Sequence, residues 1–531
     1  MTGGVRRVTT TVRVAAAVLL AASTLVWTPV SPVGAWSSDD GAVTAFGSSF
    51  QGGLVVDGSG NIYTSGYFNS TIDVDPGPGT LNFTSAGNND ANVVKLDSSG
   101  NLAWARQFGG TGIDAGFSVA VDGSGNVYLT GHFSDTVDFD PGGGTLNLTS
   151  AGNTDVYVVK LDSSGDLAWA KSFGGTEESG YNKDTGFSVA VDGSGNVYVT
   201  GHFSGTADFD PGGGTLNLTS AGGTDAFVSK LDSSGNLVWA RIFGGSSNGT
   251  DWGNSVAVDS SGNVYTTGTV GPGSVDFDPG EGTLNLSSVN DDAFVWKLDS
   301  SGNLVWARHF GGSPPGCCDF GSGKQWGTSL AVDSSGNVYA SGIFNGATDF
   351  DEPGSGTFIL TPTIFDVYAA KLNSSGNLVW AKQFDGGSQS NAGFGGMESA
   401  IAVDTSGNVY TTGYWSGTDD FDPGAGTLNL TADSNNSSNV FVVKLDSSGD
   451  LAAATNPGVT VSKVSVSVAE AGGTDSFTVV LDAEPASDVV VDVSSSDTDE
   501  ATVDQAQLTF TTANWDSAQT VIVSAVDDDV D

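Results

Sequence analysis

One eight-residue phrase recurs six times along the chain, and this repetition constrains the fold more than any other feature. Residues 121–128 read Val-Asp-Gly-Ser-Gly-Asn-Val-Tyr, and close copies begin at Val56, Val191, Val258, Val332 and Val403. Successive copies are 65, 70, 67, 74 and 71 residues apart. Such a period is the signature of a repeat architecture, in which neighbouring units bury their faces against each other.

A second phrase, Lys-Leu-Asp-Ser-Ser-Gly-Asn-Leu, follows each copy with small variations. It begins at Lys95, Lys160, Lys230, Lys297, Lys371 and Lys444. Asp accepts backbone hydrogen bonds and Gly supplies a positive φ, so both phrases predict hairpin turns. In the second unit we expect strands over 117–121, 126–131, 156–161 and 167–173, with an added hairpin over 136–148. Four-stranded antiparallel units repeated radially predict a six-bladed β-propeller. A solenoid is the alternative, but closure removes exposed sheet edges.

Composition supports an all-β class and restricts the partners. Gly is 77 of 531 residues and hydrophobic residues make up 38%, a turn-rich composition with about twice the usual share of Gly. The chain has 17 Lys+Arg against 61 Asp+Glu, a net charge of −44. Nucleic acid and anionic membrane surfaces are therefore poor partners, because both require a basic footprint.

The chain divides into three predicted segments. Residues 1–35 predict a signal peptide, because Arg6, Arg7 and Arg13 precede or open a short apolar stretch and small residues lie at 33–35. We therefore expect a secreted or cell-surface protein without a membrane span after signal removal. Residues 36–456 contain the propeller array. Residues 457–531 alternate apolar and polar positions and predict a small β-sandwich.

The sixth unit predicts how the ring closes. Ala453 takes the place of the Trp found at Trp104, Trp169, Trp239, Trp306 and Trp380. Residues 42–47 resemble the end of a fourth strand, so we expect them to complete or cover the last blade.

Both phrases, recurring in order, resemble the bacterial SBBP-type β-propeller repeat. That resemblance implies an exported scaffold or binding protein, and its family name implies seven blades where this sequence has six units. Through residues 468–473, 494–497, 510–515 and 527–529, the C-terminal segment is similar to a Calx-beta module. Because such modules usually add a final strand, the resemblance implies that this copy is incomplete. This second resemblance implies calcium binding through Glu470, Asp527, Asp528 and Asp529.

An Asp-x-Asp-Pro motif inside the repeats offers further metal ligands. Two copies give the candidates Asp138 and Asp140, and Asp208 and Asp210. Residues two apart in a strand point to one side, and paired carboxylates suit Ca²⁺. The alternatives are turn-capping or pairing with the repeat Lys residues. Those Lys, and the basic residues on the fourth strands, lie at fixed repeat positions, which suggests local pairing within blades.

Catalysis has little support in the sequence. His132 and His202 share one repeat position, and the predicted innermost strands carry no charge. The adjacent Cys317 and Cys318 could form a vicinal disulfide or remain loop thiols. Trp252, Trp326 and Trp415 break the repeat consensus; they either stack on a glycan or pack between blades.

We therefore expect a non-enzymatic binding or structural protein, associated with calcium and with an extracellular protein or glycan ligand. The alternative is a propeller enzyme acting on extracellular carbohydrate.

Overall fold

The computed structural model describes residues 50–176, 184–246, 249–311, 323–351, 357–363, 365–385, 399–415, 417–424, 426–431, 439–452, 459–462, 468, 473–481, 489–493 and 501–526. These residues form two compact bodies, a repeat array that runs to Leu451 and a C-terminal module that starts at Ala452. The predicted signal peptide (1–35) and N-terminal strand (42–47) lie outside the described residues, as do Cys317 and Cys318.

The repeat array contains six units with one common order of strands. Unit 1 has β1 (Phe50–Val56), β2 (Ile62–Phe68), β3 (Thr71–Asp73), β4 (Asn82–Thr84), β5 (Asp90–Leu96) and β6 (Leu102–Phe108). Unit 2 has β7 (Ala115–Val121), β8 (Val127–Phe133), β9 (Thr136–Asp138), β10 (Asn147–Thr149), β11 (Asp155–Leu161) and β12 (Leu167–Gly175). Unit 3 has β13 (Thr185–Val191), β14 (Val197–Phe203), β15 (Thr206–Asp208), β16 (Asn217–Thr219), β17 (Asp225–Leu231) and β18 (Leu237–Phe243).

The same order continues through the second half of the array. Unit 4 has β19 (Trp252–Val258), β20 (Val264–Val270), β21 (Gly273–Asp276), β22 (Asn285–Ser288), β23 (Asp292–Leu298) and β24 (Leu304–Phe310). Unit 5 has β25 (Gln325–Val332), β26 (Val338–Phe344), β27 (Thr348–Asp349), β28 (Ile359–Leu360), β29 (Asp366–Leu372) and β30 (Leu378–Asp385). Unit 6 has β31 (Ala400–Val403), β32 (Val409–Trp415), β33 (Thr418–Asp420), β34 (Asn429–Thr431) and β35 (Asn439–Leu445).

Each of units 1 to 5 places its four long strands in one antiparallel sheet, in the order first, second, third, fourth. The two short strands form a hairpin inserted between the second and third long strands. In unit 3 this hairpin also pairs with the fourth strand of unit 2, through β15 and β12. Both features confirm the strands expected for the second unit. In unit 6 the described sheet has three strands, β31-β32-β35, and an isolated bridge between Leu445 and Leu451 follows β35.

The two repeated phrases form turns because an Asp side chain organises each one. In unit 2, Asp122 Oδ1 accepts from the backbone N–H groups of Ser124 and Asn126. Its Oδ2 accepts from the Asn126 amide and the Tyr128 hydroxyl. Gly125 completes the turn with a φ of 79°, a value that favours Gly. The turn therefore ties the first strand to the second.

Neighbouring units pack sheet on sheet. The cluster between units 2 and 3 shows the pattern, because Val156 and Val158 of β11 pack with Val189 of β13 and Val199 of β14. First strands of successive units also lie against one another along the whole array. Each unit thus buries the third strand of one sheet against the first and second strands of the next, as expected for a repeat protein.

The two ends of the array expose the positions that internal units bury. Leu54 of β1 is 64% exposed, whereas Val119, at the same repeat position in unit 2, is 6% exposed. At the other end, Val440 and Val442 of β35 are 61% and 66% exposed. Within the described residues, no extensive contact joins β1 to the strands of unit 6. The described sheets therefore form a row with two open faces.

The C-terminal module consists of two antiparallel sheets around one apolar cluster. Its strands are β36 (Val459–Val461), β37 (Thr474–Leu481), β38 (Val489–Asp492), β39 (Ala501–Val503), β40 (Gln507–Phe510) and β41 (Gln519–Ala525). One sheet has the order β36-β37-β41-β39 and the other pairs β38 with β40. Phe477, Leu508, Phe510 and Val521 lie in the shared cluster.

The described residues of both bodies contain strands and turns but no α-helix. None of them forms a helix long and apolar enough to cross a lipid bilayer.

Candidate functional site

The first strands of the array are tied to each other by serine hydroxyls. Ser118 Oγ accepts a hydrogen bond from the backbone N–H of Val189 in the next unit, at 3.1 Å. The same bond joins Ser188 to Val256, Ser255 to Leu330 and Ser329 to Ile401. These bonds fix the register of adjacent units, so side chains at equivalent positions of successive first strands are held in a row.

A continuous series of aromatic rings lies at one end of these strands. Phe117 contacts Tyr67, His132 and Phe187, with ring centroids 6.0, 5.3 and 5.6 Å apart. Phe187 contacts His202 and Trp252 in turn, and the His202 and Trp252 rings stack at 5.4 Å. We call Tyr67, Phe117, His132, Phe187, His202 and Trp252 the aromatic row. Both His are buried, whereas Tyr67, Phe117, Phe187 and Trp252 are half-buried and keep part of their rings accessible.

In units 4 to 6, small polar residues replace the aromatic residue on the first strand. Asn254, Thr328 and Ser399 stand where units 2 and 3 have Phe117 and Phe187. The Asn254 amide donates to the carbonyl of Gly327, and the Thr328 and Ser399 hydroxyls lie 2.6 Å apart. Contacting aromatic rings therefore line this end of the strands in units 1 to 4, and small polar groups take the place of Phe117 and Phe187 in units 4 to 6.

The three consensus-breaking Trp residues divide between two environments. Trp252 belongs to the aromatic row, and Trp326 stacks on Phe365 with centroids 6.3 Å apart while remaining half-buried. Trp415 is buried in the core of unit 6, between Phe421 and Phe441. The packing alternative holds for Trp415, and only Trp252 and Trp326 retain accessible ring surface.

The repeat cations join one unit to the next, which corrects the expectation of pairing within units. Arg106 donates through Nε to Gly165 O and through an Nη to Ser164 O of unit 2. Lys95 Nζ lies over the Tyr63 ring of its own unit and reaches Ser163 O of the next. Carboxylates of the following unit take part in two cases, Asp166 beside Arg106 and Asp450 beside Lys382. Sequence reasoning missed the direction because most of the acceptors are backbone carbonyls, which leave no charge pattern.

The Asp-x-Asp-Pro carboxylates act as turn acceptors in the structure. Asp138 Oδ1 accepts from the N–H groups of Asp140 and Leu146, and Asp140 Oδ1 accepts from Gly142. Asp208 and Asp210 repeat this pattern with Leu216 and Gly212. No group of three or more acidic, His or Cys side chains among the described residues could hold a metal. Calcium takes six to eight oxygens, so these bonds favour the turn role, and calcium at these four Asp stays a prediction.

The other predicted metal ligands, Glu470, Asp527, Asp528 and Asp529, lie outside the described residues. Their role also stays a prediction.

A set of buried carboxyls at the joints between units was missed. Asp90, Asp155, Asp225, Asp292 and Asp366 each begin a third strand, and all five are buried. Asp114, Asp184 and Asp251 precede the first strands of units 2, 3 and 4 and are also buried. Burial raises the pKa of Asp114, Asp155 and Asp251 to about 6. The sequence does show an Asp recurring next to the start of a strand. That pattern did not reveal burial, because Asp residues in solvated loops before strands give the same pattern.

Comparison with known proteins agrees with the repeated geometry. The family described as SBBP, beta-propeller repeat, matches residues 103–132, 169–205 and 238–269. These three stretches are similar to SBBP-type β-propeller repeats. These matches span the fourth strand of one unit and the first two strands of the next, so the family pattern follows the joints described above.

Two curated proteins share sequence similarity with this chain. An uncharacterised WD repeat-containing protein of Acanthamoeba polyphaga mimivirus is 24% identical over 465 residues, covering 75% of this chain and 32% of that protein. The regulatory protein FlaEY of Caulobacter vibrioides is 30% identical over 150 residues, covering 28% of this chain and 15% of that protein. The chain thus spans about a third of the length of the first relative and less of the second.

Proposed function

We propose that this chain is an exported, non-enzymatic binding module built on a six-bladed β-propeller, and that the aromatic row contacts an extracellular ligand. The observation that carries the proposal is the run of contacting aromatic rings from Tyr67 to Trp252, followed by small polar groups at the equivalent first-strand positions of units 4 to 6. A pure scaffold would need no such change of side-chain chemistry along its first strands. Here the accessible rings of Phe117, Phe187, Trp252 and Trp326 adjoin the polar groups of Asn254 and Thr328.

The chemistry of this surface favours a glycan over a protein ligand. Half-buried aromatic rings offer flat apolar faces, while an amide and hydroxyls beside them supply hydrogen bonds. Binding sites of this kind combine apolar surface with a few placed polar groups. A net charge of −44 further favours a neutral or cationic ligand over an anionic one.

Tryptophan fluorescence and calorimetry with defined oligosaccharides test the proposal. Neutral β-linked hexasaccharides of glucose, galactose and N-acetylglucosamine serve as probes, with cationic chitosan hexamer beside them. We expect at least one probe to bind, Trp252→Ala to abolish binding, and Trp252→Phe to retain part of it because a ring remains. Trp515→Phe in the C-terminal module is the matched control. No binding by any probe, or equal binding by Trp252→Ala, contradicts a glycan site at the row.

The same samples address the enzyme alternative. Reducing ends appear in solution when a glycosidic bond is hydrolysed, so their release during incubation would favour a carbohydrate-active enzyme. We expect no release from the wild-type chain.

Export and calcium complete the proposal. The basic residues, apolar stretch and small residues of 1–35 support cleavage near Ala35, which N-terminal sequencing of protein secreted from a bacterial host tests. The proposed calcium ligands are the acidic residues of the Calx-beta-like segment, Glu470, Asp527, Asp528 and Asp529. The two-sheet arrangement of the C-terminal module is compatible with such a module.

A further inference from the structure

Two carboxyl groups are buried together at the joint between units 2 and 3. Asp155 opens the third strand of unit 2 and Asp184 precedes the first strand of unit 3; they are 3% and 5% exposed. A Cβ placed on Gly174 would lie 2.4 Å from Asp155 Oδ1 and 3.0 Å from Asp184 Oδ2. The two oxygens therefore border the same small space.

The joint between units 3 and 4 also buries two carboxyl groups. Asp225 and Asp251 are each 2% exposed, and the Asp225 charge acts on Asp251. Asp251 accepts backbone hydrogen bonds from Gly245 at Oδ2 and from Gly271 at Oδ1. The other charged group that acts on Asp251 is Asp291, which is itself paired with Lys324 at 2.6 Å.

One oxygen in each joint has no hydrogen-bond partner. Asp155 Oδ2 accepts from Ala151, and Asp225 Oδ2 accepts from Ala221. Asp155 Oδ1 and Asp225 Oδ1 are buried and accept no hydrogen bond of normal geometry, although the nearby N–H groups of Gly152 and Gly222 act to lower the pKa of the two carboxyls. A buried carboxylate oxygen without a donor is costly, because it has lost water and gained nothing in exchange.

The other joints supply that donor from a side chain on the fourth strand. Gln107 donates to Asp90 at 2.6 Å, and Gln383 donates to Asp366 at 2.6 Å. In unit 4 the same position holds His309, whose Nδ1 lies 3.3 Å from Asp292 Oδ2. The joints after units 2 and 3 have Ser172 and Ile242 at this position, one too short and the other apolar.

The facing residue also changes at the joint between units 4 and 5. Gln325 stands where unit 4 has Asp251. With its amide oriented so that both ends have partners, Gln325 donates to Asp292 Oδ1 at 3.0 Å and accepts from Thr348 at 2.9 Å. At each joint that lacks an unpartnered oxygen, a side-chain donor thus either replaces the second carboxyl or hydrogen-bonds to the first one.

We propose that the unpartnered oxygens of Asp155 and Asp225 take up a proton and donate it to the facing carboxylates of Asp184 and Asp251. One proton held by each pair turns two repelling carboxylates into a hydrogen bond. The joints between units 2 and 3 and between units 3 and 4 therefore tighten on mild acidification and loosen as the pH rises. At the other joints a Gln or His side chain already faces the third-strand carboxyl in the place of that proton.

The pH window follows from the direction of the shifts. Burial raises the pKa of Asp155 and of Asp251 to about 6, and it raises the pKa of Asp225. The folded chain therefore holds protons that the unfolded chain releases near pH 4. The stabilising contribution is complete below the unfolded pKa and is lost as the pH rises through about 6. For a shift of this size the equilibrium constant for unfolding changes by up to about a hundredfold.

Asparagine substitutions at the two proton-bearing residues test the proposal. In Asp155→Asn and Asp225→Asn the amide oxygen keeps the backbone bond, and the amide N–H₂ takes the place of the protonated oxygen. We expect both variants of the full chain to melt at higher temperature than wild type at pH 7.5. We also expect their melting temperatures to change less between pH 7.5 and 5.5. Asp90→Asn is the matched control and should destabilise, because both Asp90 oxygens already accept hydrogen bonds.

Two further measurements distinguish protonation of the buried pairs from other causes of a pH-dependent melting temperature. Glu281→Gln removes one exposed charge and controls for the general relief of repulsion on acidification. Added CaCl₂ at pH 7.5, with chelator as reference, tests a cation instead of a proton. The proposal is overturned if Asp155→Asn and Asp225→Asn destabilise or fail to fold, if their pH response equals that of Glu281→Gln, or if calcium stabilises wild type but neither variant.

Discussion

The indole Nε1 of Trp104 in unit 1 donates a hydrogen bond to the carbonyl oxygen of Ser163 in unit 2, at 3.2 Å. The bond recurs from Trp169 to Ser233, Trp239 to Ser300, Trp306 to Ser374 and Trp380 to Ser447. Each fourth strand is thereby fastened to the second repeated turn of the following unit. Stability of the array then depends on nearest-neighbour joints as well as on the sheets themselves.

Replacing one of these indoles should weaken a single joint. In Trp239→Phe the ring remains but the hydrogen bond to Ser300 is lost, so we expect a loss of about 1 kcal/mol in the free energy of unfolding. Trp239→Ala also leaves a cavity and should cost about 3–5 kcal/mol. Urea unfolding followed by circular dichroism measures both. Trp515→Phe should leave the transition of the array unchanged, and a Trp239→Phe variant as stable as wild type would show that the bond contributes nothing.

The local parts of this fold were predictable from sequence, whereas the joints were not. The turns could be located because Asp, Ser and Gly in fixed order report local backbone geometry, and the strands follow from the turns. The direction of Arg106 and Lys95 could not be predicted, since their acceptors are carbonyls of another unit. Asp155 and Asp184 are 29 residues apart in sequence, and only packing of two units brings them together. Trp252 was singled out because it breaks the consensus, but its stacking on His202 depends on the neighbouring strand.

The turn that begins at Asn373 offers a stabilising substitution. Asn373 replaces the Asp of the other second turns, and its Oδ1 accepts only from the N–H groups of Ser375 and Asn377. In the equivalent turn of unit 4, Asp299 also accepts from the Asn303 side chain. Asn373→Asp should therefore gain a hydrogen bond and stabilise the chain by less than about 1 kcal/mol at pH 7.

The gain from Asn373→Asp should depend on pH in the opposite sense to the buried pairs. Burial alone would raise the pKa of Asp299, but its hydrogen bonds from Asn303 and Ser301 and the charge of Arg241 lower it. A new Asp at 373 should behave likewise, with a contribution present above about pH 4 and lost as the pH falls further. Urea midpoints at pH 7, 5 and 3.5 measure this. A gain that persists at pH 3.5 would mean that ionisation of the new side chain is irrelevant.

Calcium should act independently of the Asp-x-Asp-Pro turns. Asn can replace Asp208 and Asp210 as acceptor of the backbone bonds from Leu216 and Gly212. The double variant Asp208→Asn with Asp210→Asn should therefore melt close to wild type in chelator. We expect any upward shift in melting temperature with millimolar calcium to be the same in both proteins. A smaller shift in the double variant would instead assign metal binding to these turns.

Substitutions on the exposed face of unit 6 test whether that face is open to solvent or covered by another unit. Val442 and Val228 occupy the same repeat position, but they are 66% and 0% exposed because unit 3 is covered by a neighbour and unit 6 is open. Val228→Asp should cost more than about 4 kcal/mol, since it buries an unpaired charge. Val442→Asp should change stability by less than about 0.5 kcal/mol if the face is open to solvent. Equal destabilisation by the two substitutions would show that unit 6 packs against unit 1 or another partner in solution. A closed ring then requires that Leu54→Asp, on the opposing face of unit 1, destabilise the monomer to a similar extent.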